Sequence, residues 1–253
     1  MTQTAMKNAL VKILTAFILF HFSHAAFALD PLNAAMKSIL VDFKKTASES
    51  HFQQIEDAIS SSEALQRDLN EMAADKQFTG FLILPRTQLT DEKAEFFGGY
   101  VQGTKIALAT EYLEKLKNNR PFHAAQPDDI PPNNTVFVIS HLLYHIKNPL
   151  DFKKYPSKNE FVEAALKTEA LAFIQAWNTM LQVAQRSNDA KPLSTQQFGQ
   201  LLLNTRYRFV LTGAMKQDAH PLKFSQSGSV EANDVNIQAI IETLKKSSHA
   251  DLE

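Results

Sequence analysis

Two histidines four residues apart carry the first chemical signal in this chain. His141 and His145 lie in the apolar run Thr135-Val136-Phe137-Val138-Ile139-Ser140-His141-Leu142-Leu143-Tyr144-His145. On a helix, residues four apart project from one face, one turn apart. Two imidazoles so placed can share one zinc ion. A histidine pair in a helix interface has the same spacing, so the choice depends on a third group. In the next helical stretch Phe161, Ala165, Ala172, Phe173, Ala176, Met180 and Ala184 mark an apolar stripe, and Glu169 falls within it. A carboxylate on such a face is costly unless something pairs with it. A metal held by His141 and His145 is one such partner; Arg206, Arg208 or a histidine without metal is another. Glu163 is nearer in sequence, but six residues at about 100° each turn it about 120° away from Glu169. The expected metal ligands are therefore His141, His145 and Glu169, with zinc as the cofactor.

Those parts must be positioned by their elements. Leu32, Met36, Leu40 and Phe43 repeat at helical spacing after Pro31; Phe52, Ile55 and Ile59 continue the period, and Leu65, Leu69 and Met72 suggest another helix. Phe78 to Leu84, ended by Pro85, reads as a strand. Residues 86–95 are polar and read as a loop. Gly98 to Leu108 reads as two short strands around a Gln-Gly turn, before a helix through Tyr112, Leu113 and Leu116. Residues 121–133 hold four of the ten prolines and must be irregular. The histidine helix is expected over 135–147, stopped by Pro149. Ser157 with Glu160 reads as a capping box opening a helix to about Gln185, and Ser194 with Gln197 as a second. Tyr207 to Met215 reads as a helix, with a strand as the alternative; Ile237, Ile240, Ile241 and Leu244 mark a last amphipathic helix. The fold class is α+β and helix-dominated, with a small sheet at about 78–108 ahead of the histidine helix.

The order of these parts resembles the gluzincin metallopeptidases, zincins in which a short sheet precedes an H-E-x-x-H helix and a later helix supplies a glutamate. Gly99-Tyr100 through Leu108 resembles the strands before the active-site helix, and Val136 to Ser140 the apolar lead-in with a small residue before the first histidine. His141 and His145 match the two histidine ligands, and Glu169-Ala170 the later ligand. The resemblance covers about residues 78–180. It implies a zincin-like fold and a zinc-dependent peptidase type of chemistry. The family's catalytic glutamate, which takes a proton from water on the metal and passes it to the leaving amine, is here Leu142. A positioned acid–base group contributes about 10²–10⁴-fold in rate, and leucine contributes none of it. No catalytic residue is therefore expected at that place, unless Glu163, Tyr144 or Glu160 stands in. Tyr207, Arg206, Arg208 and His220 lie downstream, where such families sometimes place an oxyanion-stabilising group. Each reads more simply as a surface or core-edge residue. Asp128-Asp129 reads as a solvated loop, with a place at the rim of the site as the alternative. Asn133-Asn134-Thr135 fits the N-glycosylation pattern.

The start of the chain reads as an export signal. Lys7 and Lys12 precede the apolar stretch Ile13 to Phe22, and Ala26-Phe27-Ala28 fits the A-x-A pattern before a cleavage at Leu29. Met6 would serve as a start as well as Met1. A stretch of that length is shorter than the ~20 residues a spanning helix needs. Residues 1–28 are thus expected to be removed and 29–253 to form one domain, periplasmic or secreted. Without Lys7 and Lys12 the 26 basic and 27 acidic residues leave a net charge of about −3, no basic footprint for nucleic acid. Cysteine is absent, so stability must come from a core, for which roughly 225 residues suffice. The expected partner is a peptide or protein, with no nucleic acid and no membrane. Three readings remain at this stage: a divergent or inactive zincin that binds zinc, a hydrolase with a relocated base, and a non-enzymatic periplasmic helical interaction module without metal.

Overall fold

A computed structural model describes residues 31–88, 98–117, 133–205 and 207–250. The expected signal segment, Asp128-Asp129 and Arg206 lie outside the described residues. Three helices come first, α1 (Ala34–Thr46), α2 (Glu49–Ser61) and α3 (Glu63–Ala74). Each starts where a side-chain oxygen satisfies a free N–H: Asn33, Ser48 and Ser62 accept from Met36, His51 and Leu65. Ser62 both ends α2 and caps α3, the separate helix expected there, whereas the period expected to run on from Leu32 to Ile59 is split into α1 and α2 at Ala47-Ser48.

Strands β1 (Gly80–Leu84), β2 (Gly99–Gln102) and β3 (Lys105–Ala109) form a mixed sheet in the order β1-β3-β2. β1 lies parallel to β3 with Phe81 opposite Ile106, and β2 lies antiparallel to β3 with Gly99 opposite Leu108. Ile106 to Ala109 of the middle strand are all buried, as a strand covered on both faces requires. The β2–β3 connection is Gly103-Thr104 rather than the expected Gln-Gly pair. Gly103 has φ +62, the left-handed conformation that a type II′ turn reserves for glycine at its first position. Phe81 links sheet to helices: its ring centroid is 5.4 Å from Phe43 and 5.0 Å from Phe78.

A short helix α4 (Thr110–Lys117) leads away from β3. Then come the two helices that matter most, α5 (Asn134–Lys147) and α6 (Lys158–Ser187), which pack extensively on each other. Helix α5 is largely apolar, and residues 134–143 are all buried, the polar Asn134, Thr135, Ser140 and His141 among them. Its Val136, Val138 and Ile139 are poor helix formers, so packing rather than propensity holds it. Asn133 caps it by accepting from Val136 N–H at 3.1 Å and also reaches Ser61 Oγ at 3.4 Å. The amide nitrogen on which the glycosylation pattern would place a glycan is the one that faces Ser61 Oγ. Asn148 N–H closes the far end on the Tyr144 carbonyl at 2.9 Å, just before Pro149.

Helix α6 begins at Ser157, which accepts from Glu160 N–H at 3.3 Å. The full reciprocal box forms instead at Ser194 and Gln197, opening α7 (Thr195–Asn204). Both halves of α6 do not behave alike: residues 158–169 include no buried position, whereas Ala170, Ala172, Phe173, Ala176, Trp177 and Met180 are buried. The expected apolar stripe is thus core only from residue 170 onward; Phe161 and Ala165 are half-exposed. Helices α8 (Arg208–Met215) and α9 (Asp234–Ala250) complete the chain, so Tyr207 to Met215 resolves as helix. Trp177 Nε1 donates to the Gly228 carbonyl at 2.9 Å, tying the segment before α9 onto α6. The architecture is α+β and helix-dominated, with one small mixed sheet, and residues 31–253 form one compact unit.

Candidate metal centre

His141 and His145 emerge from one face of α5, as their spacing requires, and meet Glu169 of α6 where that helix enters the core. His145 Nε2 is 3.2 Å from His141 Nε2. His141 Nε2 is 3.1 Å from Glu169 Oε1, and His145 Nε2 is 3.0 Å from Glu169 Oε2. The side chains are 4 %, 26 % and 22 % exposed for His141, His145 and Glu169, so the group is deep on one side and open on the other. Glu169 Oε1 is buried, with His141 Nε2 3.1 Å away. One donor atom from each of the three residues lies within 4.8 Å of the others.

That geometry can be tested against an ion. A tetrahedral zinc with bonds of about 2.0–2.1 Å separates its ligand atoms by about 3.3–3.4 Å. The separation of the two imidazole nitrogens, and that of each nitrogen from the carboxylate oxygen it faces (Oε1 for His141, Oε2 for His145), fall within about 0.4 Å of that range. Two imidazoles and one carboxylate are also a donor set that zinc accepts. His141, His145 and Glu169 could hold a metal ion.

Electrostatics agree with a charged acid in the group. Burial acts to raise the Glu169 pKa, but the charge and hydrogen bond of His141, then those of His145, outweigh it. The carboxyl is held well below the ordinary carboxylate range and stays ionised. Of the pairings open from sequence, Glu169 makes the one with histidines among the described residues.

Aromatic rings back the site. The His141 ring meets Phe173 edge-on at 5.0 Å, and Phe173 meets Phe137 at 6.0 Å. Phe137 is one turn before His141 and Phe173 one turn after Glu169, so the same four-residue spacing that finds the ligands also finds these walls. Tyr207 belongs to this wall too: buried, it stacks on Phe137 at 4.8 Å.

The other sequence candidates are placed as follows. Glu160 and Glu163 are exposed on the uncovered half of α6, as is His220 after α8. Arg208 donates through Nη1 to the Leu203 carbonyl at 3.2 Å. Tyr144 is half-buried with its ring 6.4 Å from that of His145, and burial raises its phenol pKa. Leu142 is buried and points to the sheet: a Cβ on Gly99 of β2 would stand 3.1 Å from Leu142 Cδ1 and 2.7 Å from Leu108 Cδ2. The lack of a side chain at Gly99 is what lets the edge strand β2 settle on the histidine helix. Sequence reasoning missed one buried contact, from Ser140 Oγ to Thr179 Oγ1 at 3.1 Å. No pattern marks it, because a serine and a threonine on separate helices have no spacing rule. Set against known proteins, the chain matches no family, no curated protein and no solved structure.

Proposed function

We propose that this chain is an exported zincin-like protein that binds zinc through His141, His145 and Glu169 and has little or no peptidase activity. The observation that carries the reading is the convergence of two imidazole nitrogens and a half-buried, ionised carboxylate, each within 3.2 Å of a neighbour in the group. Bound there, zinc would act as a Lewis acid and leave a fourth position for water or another donor. The chain's own residues hold and orient: His141 fixes the deep side, His145 and Glu169 face the opening, and the Phe137–Phe173 wall keeps solvent from behind. None of them replaces the family's general base. At that place Leu142 presents a methyl against β2, and Glu160 and Glu163, the acids considered as substitutes, are exposed to solvent.

The zincin-like part of the reading is supported by the order of sheet, histidine helix and glutamate helix, and by an edge strand lying against the histidine helix. Among the described residues β2 pairs on one side only, leaving an edge to which an extended peptide could add as a strand. A peptide or protein is accordingly the proposed partner. Export rests on the N-terminal signal pattern; among the described residues no helix is long and apolar enough to cross a membrane.

Elemental analysis of the purified protein tests the metal. About one zinc per chain is expected, lost in His145→Ala, since two ligands rarely retain the ion. Protein free of zinc after loading and desalting would instead favour a hydrogen-bonded histidine–carboxylate cluster in a non-enzymatic interaction module.

A further inference from the structure

The Ser140–Thr179 contact sits one residue before the first proposed ligand and crosses between the two ligand-bearing helices. Ser140 Oγ donates to Thr179 Oγ1 at 3.1 Å, and Thr179 Oγ1 donates onward to the Gln175 carbonyl at 2.9 Å. Both residues are buried, 1 % and 5 % exposed. Around them the contact between α5 and α6 consists mostly of rings and small side chains, including Phe137, Phe173, Ala170 and Ala176. Apolar packing of this kind is non-directional and tolerates volume-conserving change. A hydroxyl contact is directional: if the helices shift, the buried Ser140 Oγ loses Thr179 as its acceptor, at a cost, while Thr179 keeps its bond to the Gln175 carbonyl. For stability alone an apolar pair of the same shape would serve as well.

We propose that Thr179, acting through Ser140, is a positioning residue for the metal centre. It fixes the rotation and register of α5 against α6, so that the His141 and His145 nitrogens reach the Glu169 carboxylate. The inference rests on the zinc reading above. Ligands must be held within about 0.5 Å of a productive geometry, and groups behind the ligands typically change metal affinity by about 10–100-fold.

A matched control exists in the same molecule. Thr243 of α9 is buried, accepts from Gln217 Nε2 at 2.8 Å, and donates to the Ala239 carbonyl four residues back at 3.0 Å. Thr179 makes the same two kinds of bond, but its partner Ser140 directly precedes His141 on the histidine helix. The test is a cobalt(II) titration of the full mature chain, read by visible absorption, for wild type, Thr179→Val, Thr179→Ser, Thr243→Val and the double variant Ser140→Ala/Thr179→Val. The double variant leaves neither hydroxyl orphaned, and so keeps the test open if Thr179→Val folds poorly. Cobalt affinity is expected to fall about 10–100-fold in Thr179→Val and in the double variant. Their ligand-field spectrum should change as well, Thr179→Ser should restore both, and Thr243→Val should alter neither. A wild-type affinity and spectrum in the folded double variant would overturn the positioning role while leaving the zinc reading intact. A wild type that binds no cobalt and no zinc would remove the metal centre itself, and this inference with it.

Discussion

Glu169 is the residue on which the chemistry turns. Its acid sits at the border where α6 passes from solvent into core, with a histidine nitrogen facing each oxygen. Because the folded-state pKa is depressed, the ionised form contributes stability above the ordinary carboxylate range, about 4.3, and loses it as pH falls through the folded value. In metal-free protein, urea unfolding should therefore show wild type more stable than Glu169→Gln at pH 7, with the gap narrowing toward pH 3. A gap that does not change with pH would mean that the carboxylate charge is not what the histidines hold. Leu142 raises the complementary question. Leu142→Glu introduces the glutamate that the gluzincin motif carries at this place, yet the new acid would be buried against Gly99 and the sheet. The variant is expected to lose about 2 kcal/mol or more of stability for burying that group; any gain of peptide hydrolysis over wild type, measured on a fluorogenic peptide, would show that the new acid reaches the metal.

At the scale of elements, the site depends on three that the sequence announces with different clarity. The histidine helix was legible because its two histidines are close in sequence and share one face. The pairing of Glu169 with it was legible as an acid in a mostly apolar period, and Glu163 was set aside by helix geometry alone; the exposure of Glu163 agrees. What could not be read was where α6 enters the core. Phe161 and Ala165 continue the apolar period into solvent, and periodicity records composition, not which neighbours arrive to cover it. Sheet order was hidden for a related reason, since the parallel β1–β3 pairing joins strands more than twenty residues apart. The double capping signal was half right: Ser157 caps α6, but only Ser194 and Gln197 complete the reciprocal box. Gly99 tests how closely β2 and α5 must approach. Gly99→Ala places a methyl against Leu108, Leu142 and the Ala107 carbonyl. Overpacking of this kind costs about 1–3 kcal/mol, measurable by urea unfolding; an unchanged midpoint would mean the strand gives way freely.

For the whole molecule, a shared ion would link helices that otherwise meet through rings and small side chains. Helix α5 is also held to α2 and α3, through Asn133 to Ser61 and Lys147 to Glu71 at 3.3 Å, while α6 carries the α9 side through Trp177. The centre thus lies at a junction of the N-terminal and C-terminal parts of the fold. A ligand that binds only the folded state at a hundred times its dissociation constant adds about 2.7 kcal/mol. For a domain of this size each kcal/mol raises Tm by about 2–4 °C. Zinc in that excess should raise Tm by about 5–11 °C in wild type and leave Glu169→Gln nearly unmoved, as scanning calorimetry would show. The central claim, that these three side chains share one zinc ion, is tested most directly by X-ray absorption at the zinc edge of the loaded protein. With no cysteine in the chain, the account predicts a first shell of nitrogen and oxygen alone at about 2.0–2.1 Å, with outer-shell scattering from two imidazoles that falls to one in any zinc retained by His145→Ala. A zinc shell without imidazole scattering, or one unchanged by that substitution, would contradict it.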